Sequence, residues 1–543
     1  MSAKPGEAVV GDSGVPAEWA SGAPITDPNS GQLNAIEPVA PVKASGFVPY
    51  RVKPPRNWVN WLLRRNYDWQ QYFDATCQRT AVRFVASATA SDDAKRMCDY
   101  LCTGINDATL IRAALADAAA DGGLVQLSEG TFVLATADPA NPGICLAPAA
   151  NVVLRGAGRA TQLAPLGAVN MDMISPVGDG VEIRDLDIDG TTGGGLQGGI
   201  YLNGRQDCVV DNVRVVDMIG AFPATGYGVR IVNGADCRLS RCYVGGCAGY
   251  GILATETAPA IRRHRVEDCD VRNCCAGGYQ VSWTSGHGEI HRLNMTHSAV
   301  AAGGLFVGGA EAVVARRLTS VGLPGGAQNG VYVSAGATYP EVHNADLWSC
   351  DYEDAGAGGK VWDVRLIDPP RGVVATGNGV EVARCRIAGA LGAGAAIAIG
   401  NAITGADRAR VVGCYVNTAQ GDGIGFNNCD DFVCDANSIH NTGLGGAANA
   451  ASVLVVGSAG GSVTGNVLRA PGAGANTYPV VLGAGIANAT DIYVSGNHLH
   501  AGTGGATAEG FVNVFVGSTA FGDDGWALVA PPLNTVLASN RQL

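Results

Sequence analysis

From about residue 150 the chain repeats one short phrase, polar residues followed by two apolar positions one residue apart. It appears as Leu186/Ile188, Val213/Val215, Cys242/Val244, Cys269/Val271 and Leu293/Met295, and less sharply at Leu318 and Leu347. It continues as Cys385/Ile387, Cys414/Val416, Asn437/Ile439, Asn466/Leu468 and Asn497/Leu499. Successive first positions are 27, 29, 27, 24, 25, 29, 38, 29, 23, 29 and 31 residues apart. A second apolar series interleaves with the first: Ile200, Val229, Ile252, Leu305, Val331, Ile397, Ile424 and Val453, several preceded by Gly. Two series with one spacing mean one strand–turn–strand unit stacked about twelve times. No helical period intervenes. The pattern predicts an all-β fold, a right-handed parallel β-helix over residues 151–515, with Gly, Asn and Asp at corners that need left-handed backbone.

Equivalent residues then stack about 4.8 Å apart on neighbouring coils. Cys242, Cys269, Cys385 and Cys414 fall in inward files, and Asn437, Asn466 and Asn497 extend the file as an amide ladder. The cysteines therefore read as small core residues rather than metal or redox groups.

Ahead of the repeat, NDATLIRAALADAAADGG predicts a helix capped by Asn106 or Asp107, with Leu110, Ile111, Ala114, Leu115 and Ala118 on one face. LVQLSEGTFVL follows as short strands, so residues 105–150 read as a capping helix and the first strands. Residues 56–104 open on RNWVNWLLRRNYDWQQYFDA, where Trp58, Trp61, Trp69, Tyr72 and Phe73 recur at helical spacing behind two prolines. Such a helix packs on its own domain or docks its aromatic face on another protein. Residues 1–55 are rich in Pro, Gly, Ala and Ser without a period and read as an extended arm; residues 516–543 read as a tail.

Composition narrows the class. Hydrophobic residues are 47% and charged residues 15%, which excludes a disordered chain, and the 78 glycines show no collagen period. No apolar run is long enough for a membrane span. MSAKPGEAVV lacks the basic and apolar segments of a secretory signal, so reduced thiols are expected. A net charge of −12 without a basic run argues against nucleic acid as partner. No paired Cys-x-x-Cys spacing is present, and no metal or other cofactor is expected.

NDATLIRAALADAAADGGLVQLSEGTFVL followed by NVVLRGAGRATQL resembles the start of pectate-lyase-like β-helix proteins, in which a helix caps the solenoid. That resemblance covers roughly residues 105–515. It implies the fold, and it leaves function open among lyases, glycosidases, epimerases and phage tailspikes. PPRNWVNWLLRRNYDWQQYFD is similar to the anchor helices that precede such domains in bacteriophage tail fibres and tailspikes. Together these imply a virion tail protein, made in the host cytoplasm and released by lysis. It would be a homotrimer, held to other tail proteins by its N-terminal region, with a host surface polysaccharide as partner.

Candidate chemistry falls in three places. In–out alternation puts Phe306, Tyr332 and Trp362 outward on three consecutive coils, a file that stacks sugars or packs against a neighbouring subunit. The 38-residue step reads as a loop that brings together Trp348, Asp351, Tyr352, Glu353, Asp354 and Asp363. Two of its carboxylates, from Asp351, Glu353 and Asp354, would serve glycoside hydrolysis; the alternative is a solvated acidic loop. Asp185, Asp187 and Asp189 alternate with inward Leu186 and Ile188 and form a second acidic candidate, as a cation site, an acid–base pair or a solvated strand face. Glu267, Asp268 and Asp270 form a weaker one. In HGEIH, His287 and His291 on a strand stand roughly 13 Å apart and cannot share a metal. The Arg-x-Lys and paired aspartates of polygalacturonases are missing, as is the calcium-site and catalytic-arginine pattern of pectate lyases. The expectation is a tailspike-type protein that attaches to a host glycan, with its cleavage left open. The rivals are a non-enzymatic adhesive tail protein and a free polysaccharide lyase, hydrolase or epimerase.

Overall fold

A computed structural model of the chain describes residues 82–500 apart from 121, 168–169, 194, 196, 221–225, 257–262, 275–278, 285–286, 298–302, 310–311, 324–328, 402–405, 446–449, 470–476 and 483–490, together with Asn513–Val514, Val536–Ala538 and Arg541–Gln542. The arm and the docking candidates Trp58, Trp61, Trp69, Tyr72 and Phe73 lie outside the described residues. Most of what is described belongs to one unit, Arg83–Ala119 with Leu124–Leu543.

Within it the backbone winds as a right-handed parallel β-solenoid of about 12 turns. A typical coil lays one strand in a 15-stranded sheet and two short strands in a 32-stranded sheet. In one coil these are Val229–Val232, then Arg238–Ser240 and Tyr243–Gly245. Two residues separate the last two, Arg241, left-handed at φ 54°, and Cys242.

That left-handed corner recurs on every coil from Asp185 to Gly496. Asp185, Asn212, Arg241, Asp268, Arg292, Arg317, Asn344, Asp363, Arg384, Gly413, Ala436, Gly465 and Gly496 all have φ between 51° and 65°. The left-handed region costs an ordinary L-residue roughly 1–2 kcal/mol. Backbone bonds between coils offset it: the corner N–H groups of Arg241, Asp268, Arg292 and Asn344 donate to the carbonyls of Glu267, His291, Arg316 and Trp362 at 2.9–3.0 Å. Side chains add to the ladder, with Asn212 donating to Asp185 at 2.7 Å and Arg384 to Asp363 at 2.8 Å.

The residue after each corner points inward. This file runs Leu186, Val213, Cys242, Cys269, Leu293, Leu318, Ala345, Val364, Cys385, Cys414, Asn437, Asn466 and Asn497, all buried. The described cysteines are free thiols, and all but the half-buried Cys98 are buried. The amide ladder is present. Asn466 Oδ1 accepts from the Asn437 N–H at 2.8 Å and its Nδ2 at 3.0 Å, while Asn466 Nδ2 donates to the Cys434 carbonyl at 3.1 Å and to Asn497 Oδ1 at 2.9 Å.

The 38-residue step is not a loop. It contains a whole additional coil, because Asp346 pairs with Arg365 and Arg365 with Arg386. Val364 is the inward residue that the spacing argument passed over, and Leu347 sits at the second inward position beside Ala345. These two coils are short because only tight turns join their strands. The ladder also extends beyond residues 151–515. Val82–Ala86 pairs with Tyr100–Leu101 inside the expected docking segment, and Val536–Ala538 pairs with Tyr493–Ser495 inside the expected tail.

The helix Ala108–Ala119 buries Ala108, Ile111, Ala114, Leu115 and Ala118 against the first coils. Asp107 ties it there, accepting from the N–H groups of Gly104 at 2.8 Å and Val133 at 2.9 Å.

Asn466→Ala removes the acceptor of the Asn437 N–H and the donor to the Cys434 carbonyl, two buried backbone groups on the preceding coil. It should lower unfolding stability by roughly 1–3 kcal/mol in a urea titration.

Candidate functional site

One outward file on the 15-stranded sheet runs Tyr201, Arg230, Leu253, Ser282, Phe306, Tyr332, Glu353 and Val374, each paired with the next. Three residues N-terminal to it in each strand, a second file holds Tyr279 and Asn329. Phe306 and Tyr332 therefore stand outward on adjacent coils, as expected. Their rings stack at 5.6 Å with 12° between planes. The third ring is Tyr279, not Trp362. It lies 5.3 Å from Phe306 and 5.8 Å from Tyr332. Its position depends on Gly303 in the neighbouring strand, where a Cβ would fall 2.3 Å from the Tyr279 ring. All three rings are half-buried.

A polar network borders this platform. Asn329 Nδ2 donates to the Tyr279 hydroxyl at 3.4 Å and to Glu353 Oε2 at 3.2 Å. Arg371 donates from one terminal nitrogen to Asn329 Oδ1 at 2.9 Å and to Glu353 Oε2 at 2.8 Å, and from Nε to Asp351 at 3.0 Å. Burial works against the Arg371 charge, but the bonds from Glu353 and Asp351 outweigh it and raise its pKa. Burial also raises the pKa of Tyr279, so its hydroxyl stays protonated while it accepts from Asn329.

The three expected catalytic carboxylates separate into three environments. Asp351 is fully buried and accepts from the backbone N–H groups of Arg371 at 2.6 Å and Gly372 at 2.8 Å as well as from the Arg371 side chain. It is a strap that fixes Arg371. Asp354 points into the solenoid core, accepting from the Tyr352 hydroxyl at 3.0 Å and the Gly356 N–H at 2.8 Å. Its burial pushes its pKa up to about 6. Only Glu353 reaches the outward face. Strand alternation separates Asp354 from Glu353, and the Arg371–Gly372 backbone laid against Asp351 buries the third carboxylate.

Trp348 and Trp362 belong to the 32-stranded sheet. Arg365 lies 5.6 Å over the Trp348 ring, and Trp362 sits between Lys360 at 5.3 Å and Arg384 at 5.7 Å, edge-on to His343. Both are ring–cation contacts on other faces of the coil and neither joins the platform.

The alternative acids do not converge either. Asp185 is a left-handed corner residue bonded to Arg155 and Asn212, so it breaks the alternation that would have put it beside Asp187. Asp187 pairs with Arg214 at 3.3 Å, and burial is what raises its pKa. Asp189 accepts from Thr191 and Gln162 and caps a short 3-10 turn. Glu267 and Asp268 are paired with Arg292, and Asp270 with Arg272. His287–His291 is a strand. Among the described residues no three His, Cys, Asp or Glu side chains could hold a metal ion, and no helix is long and apolar enough to cross a membrane.

Comparison with known proteins agrees with the fold. The profile of the right handed beta helix region family matches residues 139–296 and, in an overlapping register, 173–347. Comparison with curated protein sequences gives no match. Solved structures with a similar fold include the Azotobacter vinelandii mannuronan C-5 epimerase AlgE6 A-module, at 17% identity over 72% of this chain and 94% of that one, with a TM-score of 0.42. The tailspike protein of E. coli bacteriophage HK620, in complex with pentasaccharide, is 12% identical over 81% of each chain, with a TM-score of 0.44. The Dettilon tailspike protein is 12% identical over 84% of this chain and 67% of that one, with a TM-score of 0.31.

The environment of Asp354 gives a pH test. Its folded pKa lies above the ordinary carboxylate value, so its contribution to stability is complete below about pH 4 and is lost as pH rises through about 6. Asp354→Asn should therefore unfold like the parent at pH 4 and gain up to about 3 kcal/mol over it at pH 8, read from denaturant titrations at both values.

Proposed function

We propose that the chain is a virion tail component of tailspike type that captures a host surface polysaccharide on its 15-stranded sheet. The observation that carries this reading is the platform of Tyr279, Phe306 and Tyr332 on neighbouring coils, bordered by Asn329, Glu353 and Arg371. A pyranose ring presents an apolar face to an aromatic ring and hydroxyls around its edge. Stacked rings with fixed amide, carboxylate and guanidinium groups beside them match both. The three ring centroids lie 5.3–5.8 Å from one another, a compact cluster on the scale of a single sugar ring.

The geometry favours capture over hydrolysis. Glycoside hydrolysis uses two carboxyl groups flanking the scissile bond. Of the acidic trio, Asp354 is in the core, Asp351 is buried under Arg371, and Glu353 stands alone and paired. An adhesive tail protein is thus the form of the proposal that this site supports best. Its remaining parts rest on the resemblance to bacteriophage tail fibres and tailspikes: the aromatic segment around Trp58, Trp61, Trp69, Tyr72 and Phe73 docks the protein to other tail proteins, and the assembly is a homotrimer.

Replacing Phe306 and Tyr332 together by Ala should weaken binding to host polysaccharide by about tenfold or more, since each ring contributes on the order of 1 kcal/mol. The melting temperature should barely change, because neither ring belongs to the inward files. Normal glycan binding by a variant that no longer forms oligomers would assign the platform to a subunit interface instead.

Removing residues 1–81 should leave a folded, glycan-binding solenoid that is no longer incorporated into particles. The cut is placed at 81 because Val82–Ala86 is already in the ladder. Circular dichroism, polysaccharide binding and particle assembly read the three properties separately.

A further inference from the structure

The same outward file continues toward the N-terminal end of the sheet, to Arg230 and Tyr201, four coil steps or about 19 Å from Phe306. There the surface deepens into a cavity of about 370 Å³, lined by Pro142, Asp172, Ser175, Tyr201, Asn203 and Arg205 among others. Two cations are built into this end. The Arg230 guanidinium lies 5.1 Å from the Tyr201 ring and 5.4 Å from the Tyr227 ring. Arg205 is fixed at the cavity rim by donating to the carbonyls of Asn203 at 2.9 Å and Val177 at 2.8 Å.

The lining holds one carboxyl group. Asp172 accepts from the Tyr227 hydroxyl, and its burial raises its pKa, an effect that the Tyr227 bond and the Arg230 charge only partly offset. The arrangement is specific: Gly198 lies beneath the Tyr227 ring, where a Cβ would come within 2.5 Å of the ring and 2.4 Å of Asp172 Oδ1.

We propose that this cavity is a second subsite on the same track, for a sugar carrying an anionic group, with the sugar ring on Tyr201 and the anion drawn to Arg205 and Arg230. This rests on the polysaccharide reading of the Phe306–Tyr332 platform and deepens it, because it makes the bound polymer acidic and long enough to span both sites. A pyranose advances along an extended chain by about one coil step, so the span calls for roughly five or six residues.

The test uses the full-length protein on an array of purified bacterial polysaccharides that are uronate-bearing, phosphate-bearing or neutral. Binding should be confined to charged polymers, the two charged groups showing which anion is taken, and should weaken as salt rises. On size-fractionated oligosaccharides of a bound polymer, Tyr201→Ala and Arg230→Gln, made separately, should each weaken binding of chains of six or more residues by roughly tenfold. Both should leave disaccharide binding unchanged, and Phe306→Ala should weaken both lengths. A melting curve checks each variant, and either substitution alone suffices.

Equal binding of neutral polymers would overturn the subsite. So would long-chain affinity that survives both substitutions yet falls with Phe306→Ala, and in that case the platform reading stands. No binding to any polysaccharide by the parent protein would overturn the platform reading and the subsite with it.

Discussion

The structure depends on one repeated event, the passage of the chain through a single left-handed residue between two short strands. From Asp185 to Gly496 every coil makes this turn, so every coil sets the next residue inward at the same height. The conformation is unfavourable for most of the residues that adopt it, Arg241, Arg292, Arg317 and Arg384 among them. It persists because the corner N–H meets a carbonyl of the next coil and because the following side chain is sealed in the core. Coil-to-coil hydrogen bonding thus supplies the energy, and the corner supplies the register.

Register also decides what the outer surface presents. With the inward files locked, the outward positions of the 15-stranded sheet must line up, and residues far apart in sequence come to share one strip. Tyr279, Phe306 and Tyr332 meet only because their coils stack without slippage. Arg371 reaches Glu353 and Asn329 for the same reason, with Asp351 beneath holding its backbone. The buried carboxylate next to the platform is structural, and the exposed one is neutralised. The proposed capture of a polysaccharide draws on that division of labour.

Parts of this surface were readable before any coordinates. Tyr227-Gly228-Val229, Tyr250-Gly251-Ile252 and Tyr279-Gln280-Val281 repeat one phrase ahead of the second apolar series, and they mark a tyrosine file. Likewise Asp363-Val364-Arg365-Leu366 has the same grammar as Arg384-Cys385-Arg386-Ile387, which identifies the coil hidden in the long step. Once that coil is counted, Asp351–Asp354 becomes a strand, and its alternation separates Glu353 from Asp354. The placement of Trp362 with Phe306 and Tyr332 failed because in–out alternation tells the side of a strand but not which sheet the strand joins.

The sequence by itself determined the solenoid, its inward files, the buried thiols and the amide ladder, because each repeats with the coil and a periodic constraint leaves a periodic trace. Aromatic rings turned outward on neighbouring coils were legible for the same reason in Phe306 and Tyr332. Only the tertiary structure decided that Asp351 straps a loop, that Asp354 lies in the core, and that Arg371, Asn329 and Tyr279 complete the site. Those roles occur once each and arise from contacts between coils of unequal length. A single occurrence has no period, so nothing in a one-dimensional pattern can announce it.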